Sequence, residues 1–339
     1  NENEYYVPNP SEWHRKNQGK IYDPNPNIQH MTVPHRSIWL LSNYGITFSQ
    51  NEMIGILTHD GVYDSANDSY LKPWGKEKAL WLQPRNLIVV DQNAQVQILE
   101  RHQSLKEHDV VTNTVTEIYT HKGAQVDYYK IQNDHEEASL VDSTYIHQEK
   151  HSHAKVHTFS FGGQFIRNNL HFYHKDQAIQ STMKGITLVE GKQLVDHHTL
   201  VHHAHPNSQS HQEYKGIYDG QSTGVFNGKI VVEQEAQKTN AFQQNNNILM
   251  SDKATINTKP QLEIFADDVR CSHGCTIGQL DETALFYLQT RGIPKKEARA
   301  LLTYAFANNV LASVNIPAVK TRINSLIAKK LGVNLGFNL

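Results

Sequence analysis

Two cysteines, Cys271 and Cys275, are all that 339 residues contain. Four residues apart, they are too few for a disulfide framework and too local to staple distant elements, which fits a reducing compartment. No run approaches the roughly 20 apolar residues needed to span a bilayer, and Asn1 to Lys20 is too polar for a signal peptide. A soluble, cytoplasmic protein is expected. An excess of one charge is missing as well: 32 basic residues against 34 acidic leave a net charge of -2. Nothing global therefore attracts nucleic acid or a membrane, and the expected partner is a protein. There is no GxSxG elbow and no HExxH pair. Gly185 to Lys192 fails as a phosphate loop, because five residues separate its glycines and Gln193 stands where Ser or Thr would bind magnesium. If nucleotide energy is used, a partner supplies the ATPase. A start at Asn1 rather than Met reads as a trimmed product.

What is present is uncharged polarity. Mean hydropathy is -0.58 although only 19% of residues are charged, so Asn, Gln, His, Ser and Thr carry the polar character of a chain that is not of disordered type. Residues 1 to about 35 place Pro8, Pro10, Pro24 and Pro26 among polar side chains and read as an extended arm. Ile38 to Tyr63 is too mixed to assign. From about Leu87 an internal repeat emerges: Ala94-Gln95-Val96 is echoed by Ala124-Gln125-Val126 and by Ala154-Lys155-Val156, thirty residues apart each time. Ile88 and Ile118 precede the first two copies by six, Asn93 and Gly123 immediately precede them, and Ile98 and Tyr128 follow at period two. Each unit reads as strand, tight turn, strand, which points to a β-solenoid of stacked coils. A β-sandwich with coincidental tripeptides is the alternative.

Further strands are expected at His157 to Phe161, Asn169 to Tyr173, Leu194 to His205, Lys229 to Gln234 and Gln261 to Val269. Gly162-Gly163, Asp219-Gly220 and Asn227-Gly228 read as turns between them. The amide run Gln243 to Asn247 is read as hydrogen-bonded ladders within the stack. After Gly278 the period becomes helical. Asp281 caps a helix carrying Ala284, Leu285 and Leu288 that Gly292 ends. A second helix opens at Pro294 with Ala298, Leu301, Leu302, Ala305 and Phe306 on one face, and a third at Pro317 with Val319, Ile323, Leu326 and Ile327. The expected division is residues 1–80 as arm and unassigned region, 81–278 as an all-β solenoid core, and 279–339 as a helical domain capping it.

Three clusters could carry chemistry. In Cys271-Ser272-His273-Gly274-Cys275 an extended backbone puts Cys271, His273 and Cys275 on one face. Thiolate and imidazole suit zinc, copper or iron-sulfur chemistry, but neighbours two apart on a strand are roughly 6.5 Å apart at Cα, so such a site is open or shared with another chain. Small cysteines beside a hydrogen-bonded His are the plainer alternative. In Asp196 to His205, His198 and His202 fall on one face and His197, His203 and His205 on the other, so structural histidines are favoured over one metal pocket. Asp267 and Asp268 point opposite ways on a strand and cannot flank one glycosidic bond, which leaves them a turn or capping role.

Tyr214-Lys215-Gly216, Val225 to Ile230, Ala236-Gln237 and Pro260 to Val269 resemble the SufD family of the SUF iron-sulfur cluster assembly system. Cys271-Ser272-His273-Gly274, Gly278, Leu280-Asp281, Leu285 to Leu288 and Arg291-Gly292-Ile293 continue the likeness in order and spacing. It spans about residues 84 to 312 and is strongest after 196. The resemblance implies a right-handed parallel β-helix followed by C-terminal helices. It also implies a non-catalytic scaffold that pairs with SufB and docks the ATPase SufC through those helices. The paralogue SufB usually carries an acidic-histidine-acidic signature where this chain has Cys271 to Gly274, so the D type fits better. By the same resemblance His273, and after it Cys271, lie near the subunit interface as cluster ligands. The cluster would be transient and shared with the partner, with no tightly bound cofactor. Cys275 stands where the family often has Ala or Thr, and residues 1–80 depart from the helical region the family implies. A β-helical carbohydrate enzyme and a stand-alone His/Cys metal-binding protein are the rival readings.

Overall fold

The computed structural model describes residues 80–103 and 110–333, so the arm and the unassigned stretch before residue 80 lie outside the described residues. The chain divides into two compact units, Asn1–Leu82 with His108–Val110, and Gln83–Glu107 with Val111–Leu339. In the first, the described β1 is Leu80–Leu82. Apart from Val110, the described residues that follow belong to the second.

Its first strands are β2 (Arg85–Val90), β3 (Gln95–His102), β4 (Val110–Thr120), β5 (Gln125–Gln132), β6 (Ser139–Gln148), β7 (His153–Ser160) and β8 (Phe165–His174). They continue as β9 (Gln180–Val189), β10 (Leu194–His203), β11 (Gln209–Tyr218), β12 (Thr223–Val232), β13 (Asn240–Leu249), β14 (Thr255–Ile264) and β15 (Arg270–Gly278). From β2 to β15, even-numbered strands pair with even and odd with odd, each in parallel with the strand one coil away. Two parallel sheets facing each other across a common lumen are what a β-solenoid requires. Along β6 and β8 every second residue is buried. These positions carry apolar, threonine and amide side chains inward, where identical positions of successive coils stack.

The coil length is not constant. Val96 pairs with Val126, thirty residues on, whereas Val126 pairs with Ala154, twenty-eight on. The third tripeptide is therefore out of step by two. A shift of two leaves each side chain on the same face, so the wrong register still looks like a repeat. The turn before the odd strands β3 to β13 does recur: Asn93, Gly123, His151, Ala178, Asn207 and Lys238 all have φ between 57° and 70°. Each donates its backbone N–H to the next coil, as in Asn93 to Lys122 and Gly123 to Lys150, both 3.0 Å.

Three corrections concern single segments. Asn227-Gly228 is no turn but the middle of β12. The strand expected to run to Val269 ends at Ile264, and a corner carrying Asp267 and Asp268 follows, where the Asp268 carbonyl accepts from the Lys238 N–H at 2.6 Å. His205 lies beyond the end of β10.

Helices α1 (Glu282–Thr290), α2 (Lys295–Ala312) and α3 (Pro317–Leu331) follow β15. The Asp281 carboxylate accepts from the N–H groups of Thr283 and Ala284 at 2.8 and 3.3 Å, as an N-cap should. The inward face of α3 is Val319, Ile323, Leu326 and Ile327, as its spacing predicts. That of α2 is different: Ala300, Thr303, Tyr304, Ala307 and Leu311 are buried while Ala305 is exposed. The helices also do not sit over an end of the stack. They lie on the outer face of the odd sheet, against Tyr129 and Ile131 of β5, Phe159 of β7, Ile186 and Leu188 of β9 and Ile217 of β11. Each such aromatic or aliphatic side chain contributes about 1.5–3 kcal/mol by leaving water. His157 Nε2 donates to Ser313 Oγ at 3.0 Å, and the Asn315 N–H donates to Tyr129 OH at 3.3 Å, which fixes the helices in register on the sheet.

Candidate functional site

The last coil is where the sequence places its soft ligands. β14 and β15 end their sheets, so each has a neighbour on one side only. In β15, Cys271 stands in register with Ala241, His273 with Gln243 and Cys275 with Asn245, and those three β13 residues are all buried in the lumen. Cys271, His273 and Cys275 therefore share the lumen face, as period two predicts. With no further coil above them, His273 and Cys275 are exposed and Cys271 is half-buried. Apolar side chains rim the same end: Phe265 is 62% exposed and Ile277 51%.

The three donors differ in setting. Cys271 packs against Ile230, Val232, Ala236 and Ala241. Burial raises its thiol above the ordinary cysteine value, with a backbone hydrogen bond from Ala241 opposing the rise. A thiol so placed ionises only when a metal or a cation arrives to hold the thiolate. Cys275 Sγ lies 2.8 Å from Thr258 Oγ1 of β14, a contact no spacing argument supplies. Among the described residues no three His, Cys, Asp or Glu side chains converge on a point that could hold a metal ion. The three side chains are lined up along an edge.

The histidine-rich strand behaves differently. His197 and His203 of β10 point into the lumen and are buried, while His198 and His202 point out. The Asn168 amide donates to His197 Nδ1 at 3.3 Å, so Nε2 carries the proton and donates to Thr187 Oγ1 at 2.9 Å. His203 Nε2 bonds Ser210 Oγ at 2.9 Å. Burial first, and then the neighbouring histidines, push His197 down to about 4 and His203 to about 3. Outside, His198 and His202 reach Asp196 at 3.0 Å and Glu233 at 2.8 Å. These are structural bonds within and between coils, and among the described residues no three His, Cys, Asp or Glu side chains gather to hold a metal.

Two buried carboxylates are likewise already engaged. Asp142 is paired with Lys130 Nζ at 2.6 Å inside the lumen, and Asp196 holds Arg167 and His198 on the outer face. Neither is free to attack or protonate a sugar. No helix among the described residues is long and apolar enough to cross a membrane.

Residues 74–306 match the family described as SUF system FeS cluster assembly, SufBD core domain. The chain belongs to that family. An iron-sulfur cluster assembly SufBD family protein of Synechocystis is 36% identical over 74% of this chain and 57% of its own length. The SufD proteins of Escherichia coli and Bacillus subtilis are 35% and 28% identical, over 52% and 72% of this chain and 41% and 56% of theirs. This chain thus spans about half the length of the curated relatives it matches. The SufBD core match takes in the solenoid from before β2, all of β15 and the first two helices as far as Phe306.

Proposed function

We propose that the chain is a non-catalytic scaffold subunit of SUF iron-sulfur cluster assembly, with its open end against a SufB-type subunit and its C-terminal helices carrying a SufC-type ATPase. The observation that carries this reading is the incomplete donor set of β15. Cys271 and His273 line an unpaired edge with too few neighbours to hold iron, so the remaining ligands come from a second chain that continues the stack. The nascent cluster is cargo shared across the seam, and His273 ligates it in its neutral form. Relatives that bear the SufD name support the D-type assignment.

The helical segment divides its labour. α2 and α3 are committed to the odd sheet, whereas Phe286 and Tyr287 of α1 are 68% and 56% exposed. We assign the ATPase contact to that α1 face. Deleting the whole segment would uncover Phe159 and its neighbours, so point substitutions are the cleaner probe.

The test is co-expression with SufB and SufC homologues, followed by iron and sulfide analysis of the purified complex. His273→Ala should leave all three subunits together while iron and sulfide fall by at least about tenfold. His202→Ala, on the outer face, should change neither. Phe286→Ser with Tyr287→Ser should release the ATPase and keep the scaffold pair. Unchanged iron in His273→Ala would end the ligand role.

A further inference from the structure

We propose that Gln243 is a positioning residue for His273, its side-chain carbonyl accepting the imidazole N–H and leaving the other ring nitrogen free at the open end. The proposal rests on the reading of His273 as a ligand. Gln243 of β13 is directly in register with His273 of β15, one lumen step away at roughly 4.8 Å. It is fully buried, at 0% exposure. Its Nε2 donates to Gln212 Oε1 at 3.0 Å, and that same oxygen accepts from Thr199 Oγ1 at 2.9 Å.

With the nitrogen turned toward β11, the oxygen is left for the β15 side. Gln243 Oε1 is indeed buried and without a hydrogen-bond partner. A buried carbonyl in that state is costly and rare. Among the described residues, the donor that the β13–β15 register brings opposite it is the imidazole of His273.

The space for this amide is made on purpose by the opposite sheet. A Cβ on Gly228 would lie 2.2 Å from Gln243 Nε2 and 2.8 Å from its Cδ. This accounts for an Asn-Gly pair in the middle of β12, where a strand gains nothing from glycine. Thr199, Gln212, Gln243 and Gly228 together form a small polar column ending at His273. An acceptor behind a ligating histidine fixes its tautomer and raises the basicity of the free nitrogen.

The test uses the full chain alone, without iron or partner, labelled in histidine for NMR. The ring shifts of His273, assigned by difference with His273→Ala, report its tautomer ratio at mildly alkaline pH. Gln243→Leu should move that ratio by about fivefold, the worth of one net hydrogen bond. Gln243→Glu, which keeps an acceptor, should preserve it. Gly228→Ala displaces the amide without deleting it and should reproduce the Gln243→Leu result. It presses first on the far end of the flexible Gln243 side chain and less closely on Phe226 Cε1, at 2.9 Å, and carries the test should Gln243→Leu not fold. An unchanged ratio in Gly228→Ala and in any folded Gln243→Leu overturns the proposal. Since no metal is involved, that result would leave the ligand role standing, just as an iron-content failure of His273→Ala would leave the hydrogen bond standing.

Discussion

The middle coils and the last coil use the same positions to opposite ends. One lumen column runs through Met183, Gln212, Gln243 and His273, and another through Ser181, Ser210, Ala241 and Cys271. In the middle, a polar side chain is roofed by the next coil and must find its partner inside, as His203 finds Ser210 and Lys130 finds Asp142. At β15 the same inward direction leads to solvent. In a solenoid, burial is conferred by the neighbouring repeat rather than by the residue. The place where the repeat stops is therefore where an inward-facing side chain becomes accessible, with no change in local geometry.

Acid should separate the two regions most strongly. His197 and His157 are held at about 4 and His203 at about 3, each mainly by burial. Unfolded, each would titrate near 6.5. The unfolded chain thus binds more protons between those values, so this stability is fully present above about pH 6.5 and is lost as pH falls toward 4 and then 3. Each histidine contributes a few kcal/mol, on the order of 10 together, which rivals the whole stability of a typical domain. Thermal melts should fall steadily below about pH 6.5, with a shallower fall in His203→Gln. A melting temperature that stays level down to about pH 4.5 would mean that the middle coils are not sealed.

A smaller effect is expected from the ion pair. Lys130 Nζ meets both Asp142 oxygens, at 2.7 and 2.6 Å, and Thr144 Oγ1 at 2.5 Å, with both charges buried. Lys130→Met strands the carboxylate and should cost about 3–5 kcal/mol in urea unfolding, while Lys130→Met with Asp142→Leu should recover most of it. If the single variant were as stable as the native chain, water would have to reach this lumen, and the contrast with the last coil would disappear.

Much of this was legible before any coordinates. The alternation and the Ala-Gln-Val echoes are enough for a solenoid, and the caps at Asp281, Pro294 and Pro317 mark the helices. The shared face of Cys271, His273 and Cys275 follows from period two alone. Register was harder, because the coils vary in length and a slip of two preserves every face, as at Ala154. The left-handed turn position carries a residue that usually signals it at Asn93, Gly123 and Asn207, whereas His151, Ala178 and Lys238 occupy the same place without one. Gly228 misled for a related reason, since its glycine serves a long-range contact with Gln243 and not a local bend. The inward face of α2 was misjudged because apolar residues surround that helix on more than one side, and only the aromatic surface of β5 and β7 decides which stripe is buried.

The smallest expected effect is also the sharpest test of the comparison. His273 is exposed and Ile277 is 51% exposed, so neither fills a cavity in the isolated chain. Ile277→Ala should change its stability by no more than about 0.5 kcal/mol, and His273→Ala by no more than the roughly 1 kcal/mol of one net hydrogen bond. His203→Ala removes a side chain with 0% exposure and its bond to Ser210, and should cost several times as much. The ordering changes once a partner covers the last coil, because His273 and Ile277 then acquire the roof that the middle positions always have. In the assembled complex Ile277→Ala should weaken subunit pairing while the isolated chain melts as before. If instead Ile277→Ala and His273→Ala destabilised the purified chain as much as His203→Ala does, the open end would already be covered in solution by a second copy. Sedimentation of the purified chain would then find a dimer, and the last coil would be one more interior coil rather than an exception to them.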